Sequence, residues 1–210
     1  GTEGSDLIAT LMGPDTVNGL GGTDKIIGSA GVDTLNGGGG IDHIYGYGGD
    51  DVLTGGPGND KLVGGLGDDT LDGGDGDDEL QGQTGDDTLT TGCGDDAVYG
   101  GLGDDTIIVD CEGDKTIDGG AGTNTVSINY SGITGLESFS VSMDSDGVLT
   151  LVGPSGETIV LSNIAIRNTG ESISAGGIVT FVDDNNGLTV AGKNYVFLDR
   201  PSTQWNVRGA

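Results

Sequence analysis

Large apolar side chains are scarce in this sequence: Phe, Tyr and Trp together make up 4% of its 210 residues. A thick globular core built on aromatic anchors is therefore excluded for most of the chain. Basic residues are scarce as well, with seven Lys and Arg against 34 Asp and Glu and a net charge of -27. Such a polyanion is a poor partner for nucleic acid or anionic lipid and a good one for cations. The single histidine, His43, excludes an HExxH zinc protease, and two cysteines with one distant histidine make no zinc site. No GxSxG elbow is present, since "GPSGE" (153–157) lacks the spacing, and no Cys/His/Asn arrangement replaces it. The chain therefore reads as a non-enzyme. No run of about 18 apolar residues occurs, so no membrane insertion by this segment is expected. The chain also opens without a charged, then apolar leader, and Gly1 is already in phase with the repeat described next, which points to attachment to a larger N-terminal polypeptide.

What is abundant is glycine, 46 residues, and acid that is unevenly spread. Residues 1–127 hold 26 Asp and Glu against three Lys, a net of -23, whereas residues 128–210 hold eight acids against four bases, a net of -4. The first part is periodic. Asp6, Asp15, Asp24, Asp33, Asp42, Asp51, Asp60, Asp69, Asp78, Asp87, Asp96 and Asp105 recur every nine residues without a slip. A Gly lies two residues before each and an aliphatic residue two after, from Ile8 and Val17 to Val98 and Ile107. The first position of each unit is Gly except at Thr10 and Thr91.

One apolar residue in nine fits neither a helix nor an ordinary alternating strand. It fits a three-residue strand whose middle side chain points inward. The glycines at positions one and four then make turns with backbone angles that a Cβ would obstruct. Two facing strands, 18 residues per coil, let the aliphatic columns meet as a thin core, with coils stacked about 4.8 Å apart. This stacking sets Asp above Asp. At roughly 5 Å and an effective dielectric near 20, each such pair repels by about 3 kcal/mol. Something positive must lie between the coils. Carboxylates and turn carbonyls are hard oxygen ligands that suit Ca²⁺, with its loose geometry, better than Mg²⁺.

The pattern GGxGxDxUx, as in "GGPGNDKLV" (55–63) and "GGLGDDTLD" (64–72), resembles the RTX (repeats-in-toxin) family, continuously over residues 1–108. The resemblance implies a right-handed parallel β-roll, or β-solenoid, over residues 1–127; with the composition break near 128, the fold expected is all-β, the roll followed by a small β-rich C-terminal cap over 128–210. The resemblance also implies calcium held between turns by the sixth-position Asp and by backbone carbonyls. One ligand column is then Asp6, Asp24, Asp42, Asp60, Asp78, Asp96 and Asp114, and the other Asp15, Asp33, Asp51, Asp69, Asp87 and Asp105. Neighbours within the columns give six plus five, at most about 11 Ca²⁺ sites. Units within 1–45 lack Asp or Asn at position five (Ser5, Pro14, Thr23, Val32, Ile41), and their sites are expected to be weaker. Residues 109–118 run one residue over the period, and "GGAGTNTVS" (119–127) carries Asn124 where Asp belongs, so the repeat ends there.

Cys93 and Cys111 both occupy position three, 18 residues apart, which stacks them on adjacent coils within disulfide reach; two free thiols are the alternative. A bridge would favour an oxidising, extracellular setting. Asp50, Asp68, Asp77, Asp86, Asp95 and Asp104, at position five, are assigned a supporting role rather than direct ligation. His43 reads as a solvated outward residue, and Tyr45, Tyr47 and Tyr99 as surface scatter in preference to a carbohydrate-stacking patch. In the last third, runs such as "GVLTLVG" (147–153), "ETIVLSNIAI" (157–166), "GIVTFVD" (177–183), "GLTVAG" (187–192) and "NYVFLD" (194–199) are β-rich, and the expected role is an antiparallel cap over the last coil. In RTX-like proteins the extreme C-terminus tends to carry an uncleaved type I secretion signal, to which the tail "FLDRPSTQWNVRGA" could belong. The function expected is a calcium-binding module of a secreted bacterial protein that folds outside the cell. The alternative is a structural segment of a surface-layer protein or adhesin that self-associates through calcium.

Overall fold

The computed structural model describes residues 1–128, 130, 140–143, 148–153, 156–162, 186–190, 195–196 and 208–209. Among these residues every regular element is a β-strand. Strands alternate between two sheets. The first takes Leu7–Ala9, Lys25–Ile27, His43–Gly48, Lys61–Leu66, Glu79–Thr84, Asp96–Leu102 and Lys115–Ala121, side by side. The second takes Thr16–Gly21, Thr34–Gly39, Val52–Pro57, Thr70–Asp75, Thr88–Thr90, Thr106–Val109 and Asn124–Ile128. Neighbours are parallel and 18 residues apart, as Ile44 opposite Leu62 and Leu53 opposite Leu71 record. The chain is a β-solenoid with two strands per coil.

Most strands are longer than the three residues expected. Val52–Pro57 has six residues, because the ladder runs on through the glycines: Gly56 pairs with Gly74 and Pro57 with Asp75. Glycine's freedom at positions two and four is visible in Gly56 (φ 107°) and Gly58 (φ 145°). Position one has no such requirement of angle. It needs glycine for space, as shown below.

The core is a double file of single aliphatic side chains. Ile26, Ile44, Leu62, Leu80, Val98 and Ile117 from one sheet, and Leu35, Leu53, Leu71, Leu89, Ile107 and Val126 from the other, have no exposed surface. Each contributes roughly 1.5–3 kcal/mol of apolar burial. Ile8 and Val17 are only partly buried.

The register changes once. From Val98 to Ile117 and from Ile107 to Val126 the offset is 19, so the extra residue of 109–118 is absorbed in a turn and both sheets continue. Beyond it, the fold departs from a purely antiparallel cap. Thr158–Ser162 pairs parallel with Lys115–Ala121, and Asn186–Val190 parallel with Asn124–Ile128, extending each sheet by a rung. Only then do Leu149–Val152 and Ser140–Met143 close the first sheet in antiparallel fashion. The run 177–183 and most of the tail 197–210 lie outside the described residues.

Candidate metal centre

Along each strand the inward positions are six, eight and one of the nonapeptide, so the carboxylate, the aliphatic residue and the first glycine all face the interior. Asp24, Asp33, Asp42, Asp51, Asp60, Asp69, Asp78, Asp87, Asp96 and Asp105 are each at most 3% exposed. Asp6 and Asp15, at the N-terminal end, are half-buried. Unpaired buried carboxylates are costly, so their oxygens need partners.

One oxygen of each is accounted for. From Asp6 through Asp87 the backbone N–H of each sixth-position Asp donates to Oδ1 of the Asp one coil further on, for example Asp42 to Asp60 at 2.7 Å and Asp60 to Asp78 at 2.7 Å. The ladder runs from Asp6 to Asp96 on one edge and from Asp15 to Asp105 on the other. The second oxygen is different. Oδ2 of Asp24, Asp42, Asp60 and Asp78 in one column, and of Asp51, Asp69, Asp87 and Asp105 in the other, is buried without a hydrogen-bond donor.

Each of these oxygens faces a niche that exists because position one is glycine. A Cβ placed on Gly55 would stand 2.5 Å from Asp60 Oδ2 and 2.5 Å from the carbonyl oxygen of Gly73 in the next coil. On Gly73 it would stand 2.5 Å from Asp78 Oδ2 and 2.6 Å from the Thr91 carbonyl oxygen. A carboxylate oxygen and a carbonyl oxygen thus converge on one small space, with no positive group in it. No three His, Cys, Asp or Glu side chains converge among the described residues. The donor set is instead one carboxylate per turn plus backbone carbonyls, which suits a hard, oxygen-seeking cation of loose geometry.

The strain of these orphaned charges shows in their acidity. Burial pushes Asp78 and Asp87 up to about 7 and Asp60, Asp69 and Asp105 up to about 6, from an ordinary 3.8, with repulsion added by the column Asp of the preceding coil or, at Asp105, by Asp86 and Asp104. Asp42 and Asp51 are raised for the same reason.

Residues 1–35, 27–62, 36–71 and 72–107 match the model of the RTX calcium-binding nonapeptide repeat in four copies. The chain belongs to this family. It is an RTX β-roll, a calcium-binding repeat module. No curated protein matches the sequence. Among solved structures the roll is similar to the extracellular lipase LipA from Serratia marcescens, at 18% identity and a TM-score of 0.31, over 69% of this chain and 38% of the lipase.

Not every turn of the RTX roll carries an open niche. Asp6 Oδ2 accepts the Thr2 N–H at 2.6 Å, and Asp33 Oδ2 accepts the Ser29 N–H at 2.8 Å. Where position one is Thr, at Thr10 before Asp15 and Thr91 before Asp96, a side chain stands in place of the missing Cβ. Among the early units, the second carboxylate oxygen of Asp6 and of Asp33 thus already has an amide donor, and Asp15 follows a threonine at position one. Position five, which prompted the expectation, leaves Asp24 and Asp42 with open oxygens all the same.

The columns also end differently from the spacing. Asp114, assigned to the sixth position, lies exposed in the fifth: its N–H donates to Asp95 Oδ1 at 2.9 Å. The 19-residue offset moves Lys115 into the sixth position instead, directly opposite Asp96. Asn124 holds the sixth position in the other column, accepting the Asp105 N–H through Oδ1 at 2.9 Å.

The fifth-position carboxylates form a second ladder in the opposite sense. Asp50 Oδ1 accepts the Asp68 N–H at 3.0 Å, Asp68 that of Asp86 at 2.8 Å and Asp86 that of Asp104 at 2.8 Å. Asn59, Asp77 and Asp95 do likewise on the other edge. Two successive amides of a turn are thus tied one upward and one downward, the supporting role expected of Asp50, Asp68, Asp77, Asp86, Asp95 and Asp104. Cys93 and Cys111 form a disulfide with Cα atoms 4.8 Å apart, the bridged one of the two alternatives that their stacking allowed. His43 is exposed, and the Tyr45 ring receives the Lys25 ammonium 5.4 Å from its centre. Sequence reasoning missed two groups. Lys115 was hidden by the insertion. Buried Tyr130, whose hydroxyl donates to Glu157 Oε1 at 2.8 Å, lies beyond the repeat, where no period signals contacts.

Proposed function

We propose that this chain is a non-catalytic folding module that calcium switches from an extended polyanion to a rigid roll, as the segment of a secreted protein that becomes ordered outside the cell. The observation that carries the reading is the set of eight buried carboxylate oxygens without donors, each against a first-position glycine and six of them facing a backbone carbonyl of the next coil across that niche. Asp24, Asp42, Asp60 and Asp78 would hold one file of ions and Asp51, Asp69, Asp87 and Asp105 the other. A bound Ca²⁺ supplies two positive charges and oxygen coordination to groups that otherwise repel.

The chain's own residues do the rest. Oδ1 of each Asp is held by the amide of the preceding coil, which aims Oδ2 into its turn. The first-position glycine leaves room, and the aliphatic file keeps water out from the inner side. Because the sites exist only when coils stack, binding free energy is folding free energy. Extracellular modules bind calcium at about 10⁻⁴–10⁻³ M, which would keep the chain unfolded in a cytosol and folded outside. The test is far-UV circular dichroism with and without EDTA. Strand signal should rise with millimolar Ca²⁺ and fall sharply in chelator, whereas a repeat that keeps its full strand signal in EDTA at neutral pH would sink the switch.

A further inference from the structure

One buried cation is already present in the columns, and the chain supplies it. The Lys115 ammonium lies 2.7 Å from Asp96 Oδ2, with both side chains completely buried. It also donates to the Gly94 carbonyl of the preceding turn and to the Glu112 carbonyl of its own, the latter at 3.4 Å. One carboxylate and carbonyls from two successive turns surround it. That is the same class of oxygen set that the other turns offer.

Three independent features single out this turn. The extra residue in 109–118 places Lys115, rather than Asp114, opposite Asp96. Position one of Asp96's unit is the buried Thr91, where ten of the twelve units have glycine. The same two coils are joined covalently by Cys93–Cys111. Burying a lysine beside a carboxylate is expensive unless both are satisfied, and here the ammonium is met by three oxygens.

We infer that Lys115 is the resident cation of the terminal site of its column, so that this end of the roll is closed without metal. The inference rests on the calcium reading above for the other turns. In the absence of calcium the coils that Lys115 and the disulfide clip together stay ordered, and they form the template on which the remaining coils stack as calcium arrives. A repeat array can nucleate at one place and propagate from there.

Two measurements on the intact chain, with the disulfide formed, decide the matter. At saturating Ca²⁺, native mass spectrometry should count one more ion on Lys115→Asp than on the wild type, since the change restores a sixth-position carboxylate. An unchanged count on folded Lys115→Asp overturns the inference. In EDTA, hydrogen exchange of wild-type amides in Asp96–Leu102 and Lys115–Ala121 should be at least tenfold slower than in the variant Lys115→Met, which keeps the disulfide but lacks the charge. Equal exchange overturns it, and this comparison decides alone should Lys115→Asp fail to fold. Failure of the calcium reading looks different: the wild type would take up no Ca²⁺ at all, while the EDTA comparison would still report on Lys115.

Discussion

Oδ2 of a sixth-position Asp is the atom on which the behaviour of the roll turns. Its neighbour Oδ1 already has an amide donor, so replacing Asp78 by Asn keeps the ladder and removes only the orphaned charge. The expected outcome for Asp78→Asn is the loss of one bound Ca²⁺ together with a more stable metal-free roll, read from native mass spectrometry and from a urea titration in EDTA. Asn124 is the chain's own instance of that exchange. Gly73→Ala should act differently. Its Cβ would meet both Asp78 Oδ2 and the Thr91 carbonyl, so it should also lose one ion but gain no metal-free stability. Position two tells the complementary story: Leu20, Tyr47 and Gln83 hold positive φ (83°, 78° and 83°) where half of the twelve units have glycine.

At the scale of an element, the unit of stability is the turn with its two opposed amide ladders, not the strand. Most strands of the repeat contribute one fully buried aliphatic side chain, too little to hold themselves. Leu71→Ala would remove one link of the file at about 2–5 kcal/mol, and the calcium-loaded roll should show that loss in a urea melt. The last coils have an extra fastening. Opening the 18-residue disulfide loop with Cys93→Ser and Cys111→Ser should lower calcium-loaded stability by up to about 3 kcal/mol. The repeat made most of this legible in advance: the nine-residue phase gave both columns, the inward aliphatic file and the pairing of the two cysteines. The turn at 109–118 was not legible, because counting positions cannot say where an inserted residue is absorbed. Asp114 and Lys115 are adjacent, and only the pairing of Asp96 with one of them decides which enters the column. Beyond residue 128 no period exists. The runs 147–153, 157–166 and 187–192 were readable as strands, but their parallel attachment to Lys115–Ala121 and Asn124–Ile128 depends on the exposed edges that the roll presents.

For the whole molecule the raised acidities set a pH dependence. Between about pH 4 and 7 the metal-free roll binds more protons than the open chain, since Asp78 and Asp87 hold theirs up to about 7 and Asp60, Asp69 and Asp105 up to about 6, against 3.8 when unfolded. Its stability is therefore greatest at the acid end and falls as pH rises through 6 to 7. In EDTA, circular dichroism should show more strand at pH 4.5 than at pH 8. With calcium the order reverses, because protons and metal compete for the same oxygens, and the calcium midpoint should move to higher concentration on acidification. Acid and calcium are thus two ways of relieving one repulsion.

The inserted residue in 109–118 behaves like a frameshift in space. Both sheets carry on past it with their aliphatic files unbroken, yet the column it crosses changes from acid to base at a single step. The length of the metal-dependent stretch is thereby open to insertion and deletion as well as to substitution. Deleting Lys115 itself would leave Asp114 18 residues after Asp96, bring that carboxylate into line with Ile117 still in the aliphatic file, and lengthen the column by a rung. Two rolls with nearly the same sequence could then differ in how much calcium each requires, and in which end each begins to fold.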